Sequence, residues 1–328
     1  MSLEKVGIVS LGAKVPDRVM ENDEWSKYVD TSDEWIRTRT GIERRHIVAP
    51  EDTTASLAVA AAQEALDRSG LGPDDIDEII VATDTPEVYL PDTSCFVQEA
   101  LGARNISSFT LGGSGCAGFV QALDIAASRL RTSHDRILVI GVEILSRIVS
   151  WEDRNVVLFG DAAAAAIVAK EDIRAELLSG VSGTDGSKTE ILKIEVGGTR
   201  TPVTPERANR GEHLALDMNG REVFKQAVFR MSQAGKDALR RAGKKLSDVD
   251  LVVPHQANLR IIKAVAKNLD VEMDRVYTNL QNYGNTGSAS VPLALWEAET
   301  KGVIKEGDLV LLTAFGAGFH WAAAVLQY

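Results

Sequence analysis

The segments ALDRSG at residues 65–70 and ALRRAG at residues 238–243 lie 173 positions apart and decide the fold. The same offset carries residues 76–77 (ID) onto 249–250 (VD) and residues 135–139 (DRILV) onto 308–312 (DLVLL). Each match alone is weak, because a helix followed by a glycine, a loop and a strand is a common pattern. Since the matches share one register, the sequence predicts two copies of one structural unit.

Each copy has the pattern of a helix, a glycine and a buried strand. Residues 54–69 carry apolar side chains at helical spacing, and Gly70 follows as a helix stop. Short apolar runs at residues 79–82, 137–142 and 309–315 are typical of strands covered on both faces. We therefore predict an α/β protein made of two similar halves, residues 1–173 and 174–328. The polar stretch 198–213 has no periodicity and is predicted to be a loop or lid.

The composition is that of an ordinary globular protein. The 328 residues are 45% hydrophobic and 25% charged, with a formal net charge of −11, which argues against non-specific binding to nucleic acid or an anionic membrane. The sequence contains neither a signal-peptide pattern nor an apolar run of about 18 residues. Two cysteines cannot build a disulfide framework or a cysteine-rich zinc site. We expect a cytoplasmic protein with reduced thiols and no bound metal.

A glycine-rich turn places one cysteine at the start of a predicted helix. Residues 107–111 are predicted to end a strand, residues 112–118 to form a tight turn and residues 119–129 to form a helix. At a helix N-terminus the macrodipole and free N–H groups favour a thiolate, so Cys116 is a candidate nucleophile. The alternative interpretation is a small buried cysteine in the core.

The same turn also fits a dinucleotide-binding pattern. Gly113, Gly115 and Gly118 match G-x-G-x-x-G between a strand and a helix, and Glu143 follows 25 residues after the last glycine. An NAD(P)-dependent oxidoreductase is therefore an alternative hypothesis. The motif lies deep in the chain rather than in a first βαβ unit, which argues against it.

Two further candidates lie in the second half. His255 directly follows the predicted strand at residues 251–253, a position at which α/β folds expose functional groups. Adding the offset to Cys116 gives position 289, so we expect the loop around Asn285 to face the loop around Cys116. An asparagine amide suits the stabilisation of an enolate or thioester oxygen. Taken alone, His255 could be a structural histidine and Asn285 a turn residue.

A basic segment lies around His255 in this acidic chain. Residues 219–267 contain 11 Lys or Arg and 4 Asp or Glu, a net charge of +7 that leaves −18 for the remainder. Such a segment would steer an acidic partner protein toward His255. The alternative is a solvated pair of helix faces without a partner.

Together these residues resemble the thiolase superfamily, and most closely the β-ketoacyl-[acyl-carrier-protein] synthase III family. The resemblance spans nearly the whole chain. The motifs that carry it are TSDEWI at 31–36, RTGI at 39–42, GCAGF at 115–119, FGD at 159–161, PHQAN at 254–258, GNT at 284–286 and FGAGF at 315–319.

The resemblance implies a thiolase-like fold, in which two duplicated βαβαβαββ-type halves form a layered αβαβα arrangement. It also implies a decarboxylative Claisen condensation without a metal or redox cofactor. An acyl-CoA would acylate Cys116, and malonyl-acyl carrier protein would then lose CO2 while His255 and Asn285 bind its thioester oxygen. The N–H groups of Cys116 and Ala317 would form the oxyanion hole.

Binding positions are implied in the same way. The implied CoA contacts are Thr31, Trp35, Arg39, Arg154, Gly220, Arg221 and Asn258. The implied contacts for the carrier protein are Lys225, Arg260, Lys263 and Lys267. Leu90 would reach into the acyl pocket of a partner subunit, which implies a homodimer.

Several departures from the family pattern concern the substrate. Residues 112–115 (GGSG), the five alanines at 162–166, Gly287 and Arg221 replace commoner residues, and the spacing before Phe159 is one residue shorter than usual. A specialised relative, such as a non-decarboxylating acyltransferase of the same fold, is therefore an alternative. The sequence does not determine the starter acyl group.

Overall fold

In the computed structural model, residues 4–328 are described, and they form one nine-stranded sheet with helices on both faces. The strands are β1 (Gly7–Lys14), β2 (Arg18–Glu21), β3 (Arg44–Ile47), β4 (Glu78–Ala82), β5 (Ser107–Leu111), β6 (Arg136–Ile144), β7 (Asp161–Ala169), β8 (Ala175–Thr184), β9 (Leu192–Ile194), β10 (Leu216–Met218), β11 (Leu251–Pro254), β12 (Leu309–Gly316) and β13 (His320–Gln327). The α-helices are α1 (Asp33–Thr40), α2 (Thr54–Ser69), α3 (Thr93–Leu101), α4 (Gly118–Leu130), α5 (Pro205–Asn209), α6 (Gly220–Arg241), α7 (Leu259–Asn268), α8 (Leu280–Tyr283) and α9 (Ser290–Thr300). Short 3-10 helices lie at Asn22–Lys27, Pro73–Asp75, Gly115–Ala117, Leu145–Arg147, Arg154–Leu158, Gly186–Ile191, Glu212–Leu214, Leu246–Asp248, Met273–Arg275 and Gly287–Ala289.

The large sheet contains one strand pattern twice. Its first part has the order β5-β4-β6-β7-β1, in which β5, β4 and β6 are parallel and β7 and β1 are antiparallel to their neighbours. Its second part has the order β11-β12-β13-β8, in which β11 and β12 are parallel and the other two pairs are antiparallel. The parts join where β1 pairs with β8 at Gly7, and a side chain at Gly7 would overlap the carbonyl oxygen of Ala175. Glycine therefore permits this crossing.

Helices cover both parts of the sheet and also separate them. The outer helices α2 and α3 pack on the first part, α6 packs on the second, and α7 packs against α6. Helices α4 and α9 lie between and contact strands of both parts. Three apolar clusters fill the spaces between these layers. The predicted αβαβα arrangement is confirmed. The division at residue 173 falls in the connection between β7 and β8, and as a domain boundary it stays a prediction.

Local sequence signals account for most element ends. Helix α2 begins with a capping box formed by Thr53 and Ser56 and ends before Gly70, whose φ of 73° is the left-handed conformation that favours glycine. The prediction of a loop over residues 198–213 is wrong for α5. Thr204 caps this short helix by accepting a hydrogen bond from Arg207 N, and Pro205 suits its first turn.

Among residues 4–328, every helix is too short or too polar to cross a lipid bilayer.

Candidate active site

Cys116 lies in the 3-10 turn Gly115–Ala117, directly before α4. The predicted order of strand, turn and helix is confirmed, because the turn connects β5 to α4. Gly113 and Gly115 have φ values of 72° and 53°, so the turn requires glycine at both positions. Cys116 remains partly exposed at the surface of the site.

The surroundings of the Cys116 thiol raise its pKa and so favour the protonated form. Burial raises its pKa, and the carboxyl groups of Glu143 and Asp84 raise it further, while its hydrogen bond to Asn285 acts in the opposite direction. The thiol donates to Asn285 Oδ1 at 3.9 Å. The helix start, which favours the thiolate, is therefore not the dominant influence on the pKa of this thiol. Desolvation and two nearby carboxyl groups outweigh the favourable end of α4.

Backbone N–H groups from the two sequence halves meet beside Cys116. A side chain at Gly115 would lie 2.6 Å from Ala317 N, and a side chain at Gly316 would overlap Cys116 N. The two turns can approach this closely only because both positions are glycine. The amides of Cys116 and Ala317 are therefore neighbours, as an oxyanion hole with two donors requires.

Asn285 is held in place by the backbone of residues 158–160. Its N–H donates to Leu158 O at 2.8 Å, and its carbonyl accepts from Gly160 N at 3.0 Å. Its side-chain Oδ1 accepts from Gly287 N at 2.9 Å. Because Oδ1 is occupied by donors, the Nδ2 hydrogens are left to bind a substrate oxygen.

His255 follows β11 and is 4% exposed. Its backbone N–H donates to Thr313 O at 2.8 Å, which extends the pairing of β11 with β12 by one residue. Its ring Nδ1 lies 3.0 Å from Ser290 Oγ. Burial lowers the pKa of His255 to about 3, so the ring is neutral near pH 7.

Two carboxyl groups support the turns that carry Cys116 and Asn285. Glu143 accepts hydrogen bonds from Asp84 N, Ser288 Oγ and Thr85 Oγ1, each at 3.0 Å. Asp84 Oδ1 accepts from Gly113 N at 2.7 Å. Burial raises the pKa of Glu143 to about 8, and the charge of Asp84 acts in the same direction. Through these hydrogen bonds, Glu143 and Asp84 connect β6 to the turns that carry Cys116 and Asn285.

These contacts argue against the dinucleotide alternative. A carboxylate that binds ribose hydroxyls must be accessible, whereas Glu143 is 1% exposed and already accepts three hydrogen bonds. No sequence pattern predicts a role for Asp84, Ser288 or Ser290. The available signal for Ser290 is its position as a polar residue at the start of the otherwise apolar segment SVPLALW.

Four of the residues predicted to contact CoA form two contacting pairs. The Arg154 guanidinium carbon lies 4.0 Å from the ring centroid of Trp35, a cation–π contact. Nearby in the chain, the Arg39 carbonyl accepts a hydrogen bond from Asn258 Nδ2 at 3.2 Å, which links α1 to α7. The irregular spacing before Phe159 therefore does not keep Arg154 away from Trp35.

Three other predicted CoA contacts lie at element starts. Thr31 precedes α1, and its buried Oγ1 has no hydrogen-bond partner among the described residues. Gly220 and Arg221 begin α6 and are exposed. Asn219 caps this helix by accepting from Glu222 N at 3.2 Å.

The four predicted carrier-protein contacts are exposed on two neighbouring helices. Lys225 lies on α6, and Arg260, Lys263 and Lys267 lie on one face of α7, with which α6 packs. None of the four forms an ion pair with another residue of the described range 4–328. Leu90 lies on the connection between β4 and α3 and is 84% exposed, so it lines no pocket of its own chain.

No cluster of three or more His, Cys, Asp or Glu side chains suited to a metal ion occurs within residues 4–328.

Comparisons with known proteins agree with this geometry. The family model for 3-oxoacyl-[acyl-carrier-protein (ACP)] synthase III matches residues 113–186, and the model for its C terminal part matches residues 239–328. The β-ketoacyl-[acyl-carrier-protein] synthase III of Roseiflexus castenholzii is 46% identical over 323 residues, which cover 98% of this chain and 97% of that protein.

Solved structures show the same similarity. The crystal structure of 3-oxoacyl-[acyl-carrier-protein] synthase III from Aquifex aeolicus matches with a TM-score of 0.90 at 42% identity, covering 98% of this chain and 100% of that one. A priming β-ketosynthase from a polyketide biosynthetic pathway matches with a TM-score of 0.90 at 34% identity, covering 99% and 97%. The motifs, the fold and these similarities agree, and the chain belongs to the β-ketoacyl-[acyl-carrier-protein] synthase III family.

Proposed function

We propose that this enzyme starts fatty acid or related polyketide synthesis by condensing an acyl group, held on Cys116, with malonyl-acyl carrier protein. The observation that carries the proposal is the meeting of Cys116, Asn285 and the Ala317 amide, which are separated by up to 201 positions in the chain. A nucleophile, a neutral donor and two backbone donors at one point suit acyl transfer through a tetrahedral intermediate.

The first half-reaction acylates Cys116. The sulfur attacks the thioester carbonyl of an acyl-CoA, and the oxygen of the tetrahedral intermediate is bound by the N–H groups of Cys116 and Ala317. Because its surroundings favour the protonated thiol, the thiol proton leaves during the attack and ends on the departing CoA sulfur. The carbonyl carbon exchanges one C–S bond for another, so this step needs no redox cofactor.

The second half-reaction forms the new carbon–carbon bond. Malonyl thioester loses CO2, and the electron pair of the broken bond becomes an enolate whose oxygen is bound by His255 and Asn285. Both side chains are neutral and offer N–H donors. The enolate carbon then attacks the acyl carbonyl, and the Cys116 sulfur leaves and takes up a proton from solvent. No electron is gained from or lost to a cofactor, so we propose that none is required.

The stacked pair Trp35 and Arg154 is the proposed site for the adenine and phosphates of CoA. An indole face suits a purine ring, and a guanidinium suits phosphate. Since the guanidinium now covers the ring at 4.0 Å, Arg154 must move to admit the base between them. Thr31, Arg39, Gly220, Arg221 and Asn258 complete the proposed CoA site.

The carrier protein is proposed to dock on α6 and α7. Arg260, Lys263 and Lys267 point from one face of α7, and Lys225 adds a fourth cation from α6. These cations lie in the segment with a net charge of +7. An acidic partner gains both orientation and a faster encounter from such a surface.

We further propose that two copies of the chain associate. Strand β5 is one of the two edges of the large sheet, so within residues 4–328 one side of its backbone lacks a partner strand. Tyr89 and Leu90 are each 84% exposed, and neighbouring exposed apolar side chains mark contact surfaces. Sedimentation velocity is expected to give twice the 35.4 kDa chain mass. Leu90→Asp is expected to weaken the association or to change the preferred starter.

The test of the proposed function is the intact mass of the protein after incubation with a panel of acyl-CoAs. One acyl-CoA is expected to add a single acyl mass that Cys116→Ala abolishes. Cys95→Ala removes an exposed cysteine on α3 and is the matched control that keeps the adduct. The acylated enzyme is then mixed with malonyl-acyl carrier protein, and CO2 release and β-ketoacyl product are measured.

The outcomes separate the alternatives. An adduct followed by transfer without CO2 release would support the non-decarboxylating acyltransferase instead. The absence of an adduct with any acyl-CoA or acyl-carrier protein would contradict the role of Cys116.

A catalytic thiol must also stay reduced, which supports a cytoplasmic location for the enzyme.

A further inference from the structure

A buried serine hydroxyl contacts one ring nitrogen of the catalytic candidate His255. Ser290 is the first residue of α9 and is 1% exposed. Its Oγ lies 3.0 Å from His255 Nδ1. The same oxygen accepts the backbone N–H of Gln256 at 2.8 Å. The hydroxyl therefore contacts both His255 and the residue that follows it.

The donors and acceptors around Ser290 Oγ indicate whether it donates to His255 Nδ1 or accepts from it. A hydroxyl has one hydrogen and two lone pairs, and the Gln256 N–H uses one lone pair. Within residues 4–328, the acceptor available to the Ser290 hydrogen is His255 Nδ1. If Nδ1–H donated to the second lone pair instead, the buried Ser290 hydrogen would have no acceptor, so the arrangement in which the serine donates and Nδ1 is unprotonated is favoured. Since burial keeps the ring neutral, its one N–H is on Nε2.

We propose that Ser290 is a positioning residue that fixes His255 in the Nε2–H form, so that this ring donates to the thioester oxygen of the malonyl substrate and does not take the Cys116 proton. The inference rests on the proposed role of His255. The tautomer of His255 determines its role. Binding an enolate oxygen requires an N–H donor at Nε2, whereas a general base requires a lone pair at the same nitrogen.

The two half-reactions should then respond differently to loss of the hydroxyl. In Ser290→Ala, Nδ1 and the Gln256 N–H both lose their partner, and the ring is free to rotate or to exchange its proton. Decarboxylation of malonyl-acyl carrier protein is expected to fall about tenfold, the cost of one buried hydrogen bond. Acylation of Cys116 is expected to change less than about twofold. A merely structural role would slow both reactions together.

The controls are other serine variants. Ser290→Thr keeps the hydroxyl and is expected to restore most of the decarboxylation. Ser232 is also buried, but its hydroxyl donates to the carbonyl of Val228 within α6 at 2.7 Å. Ser232→Ala therefore removes a buried hydroxyl that forms no hydrogen bond with the ring and is expected to leave both half-reactions unchanged.

The decisive measurement is the tautomer of His255 in the wild-type enzyme by nitrogen-15 NMR of labelled histidine, with His255→Ala to assign the signal. An unprotonated Nδ1 and a protonated Nε2 are expected, and Ser290→Ala is expected to weaken this preference. A protonated Nδ1 in the wild-type enzyme would overturn the inference whether or not Ser290→Ala folds. Failure of the underlying function is seen separately, since His255→Ala would then leave decarboxylation unchanged.

Discussion

Replacing Glu143 by glutamine is expected to stabilise the protein at neutral pH. Glu143 is 1% exposed, and burial raises its pKa from 4.5 to about 8, with a further contribution from Asp84. A glutamine can still accept from Asp84 N and Ser288 Oγ through its carbonyl oxygen, and its NH2 can donate to Thr85 Oγ1. It therefore imitates the protonated carboxyl and cannot ionise.

The sign follows from the raised pKa. Below pH 4.5 the carboxyl is protonated in both the folded and the unfolded chain, so it has no effect on the free energy of unfolding. Between pH 4.5 and 8 only the unfolded chain ionises, and the folded protein loses about 1.4 kcal/mol of stability per pH unit. The loss is about 3 kcal/mol at pH 7 and under about 1 kcal/mol at pH 5.

Scanning calorimetry at both pH values measures this difference. With an unfolding entropy of about 2 cal/mol/K per residue, about 3 kcal/mol in a chain of 328 residues corresponds to about 4 °C in Tm. Glu143→Gln is expected to melt about 4 °C above wild type at pH 7 and about 1 °C above it at pH 5. Glu306→Gln changes an exposed carboxyl and should have no effect at either pH. A Glu143→Gln Tm equal to or below wild type at pH 7 would refute the reasoning.

Three further predictions concern substrates. Gly316→Ala places a methyl group against Cys116 N and is expected to slow formation of the acyl enzyme at least about 100-fold. The rate is measured by intact mass over time, and unchanged acylation would exclude the proposed oxyanion hole. Trp35→Ala is expected to raise KM for acyl-CoA about tenfold with kcat nearly unchanged, and a fall in kcat alone would contradict a binding role. Lys263→Glu with Lys267→Glu is expected to raise KM for malonyl-acyl carrier protein several-fold at low salt but not KM for malonyl-CoA, and an equal effect on both would contradict docking.

Most of the fold could be predicted because local sequence patterns indicate each helix and strand, and because these patterns occur in both halves of the chain. Helix spacing before Gly70 and the apolar runs at 79–82 and 309–315 each predict one element, and their common offset relates the copies. The short helix α5 was missed because five residues show no periodicity. Its signals are Thr204 and Pro205, which are equally common in loops.

The positions of the candidate site residues could also be predicted, whereas their chemical state could not. Cys116 stands at a helix start, as expected, but its pKa is raised first by burial and then by Glu143 and Asp84, which are distant in sequence. The role of Ser290 likewise depends on its distance to His255, 35 residues away. Local patterns report which residue begins or ends an element, and they do not report which groups of other elements lie beside it.

The close approach of Gly115 to Gly316 has a consequence for how the enzyme acquires its reactivity. During synthesis, Cys116 emerges about 200 residues before Gly316 and Ala317, which complete the oxyanion hole. A chain that has folded only its first half therefore presents the Cys116 thiol without the second amide donor. Acylation of Cys116 thus reports completed folding of the whole chain, and a fragment spanning only the first half is expected to be inert toward acyl-CoA even when its own sheet is intact.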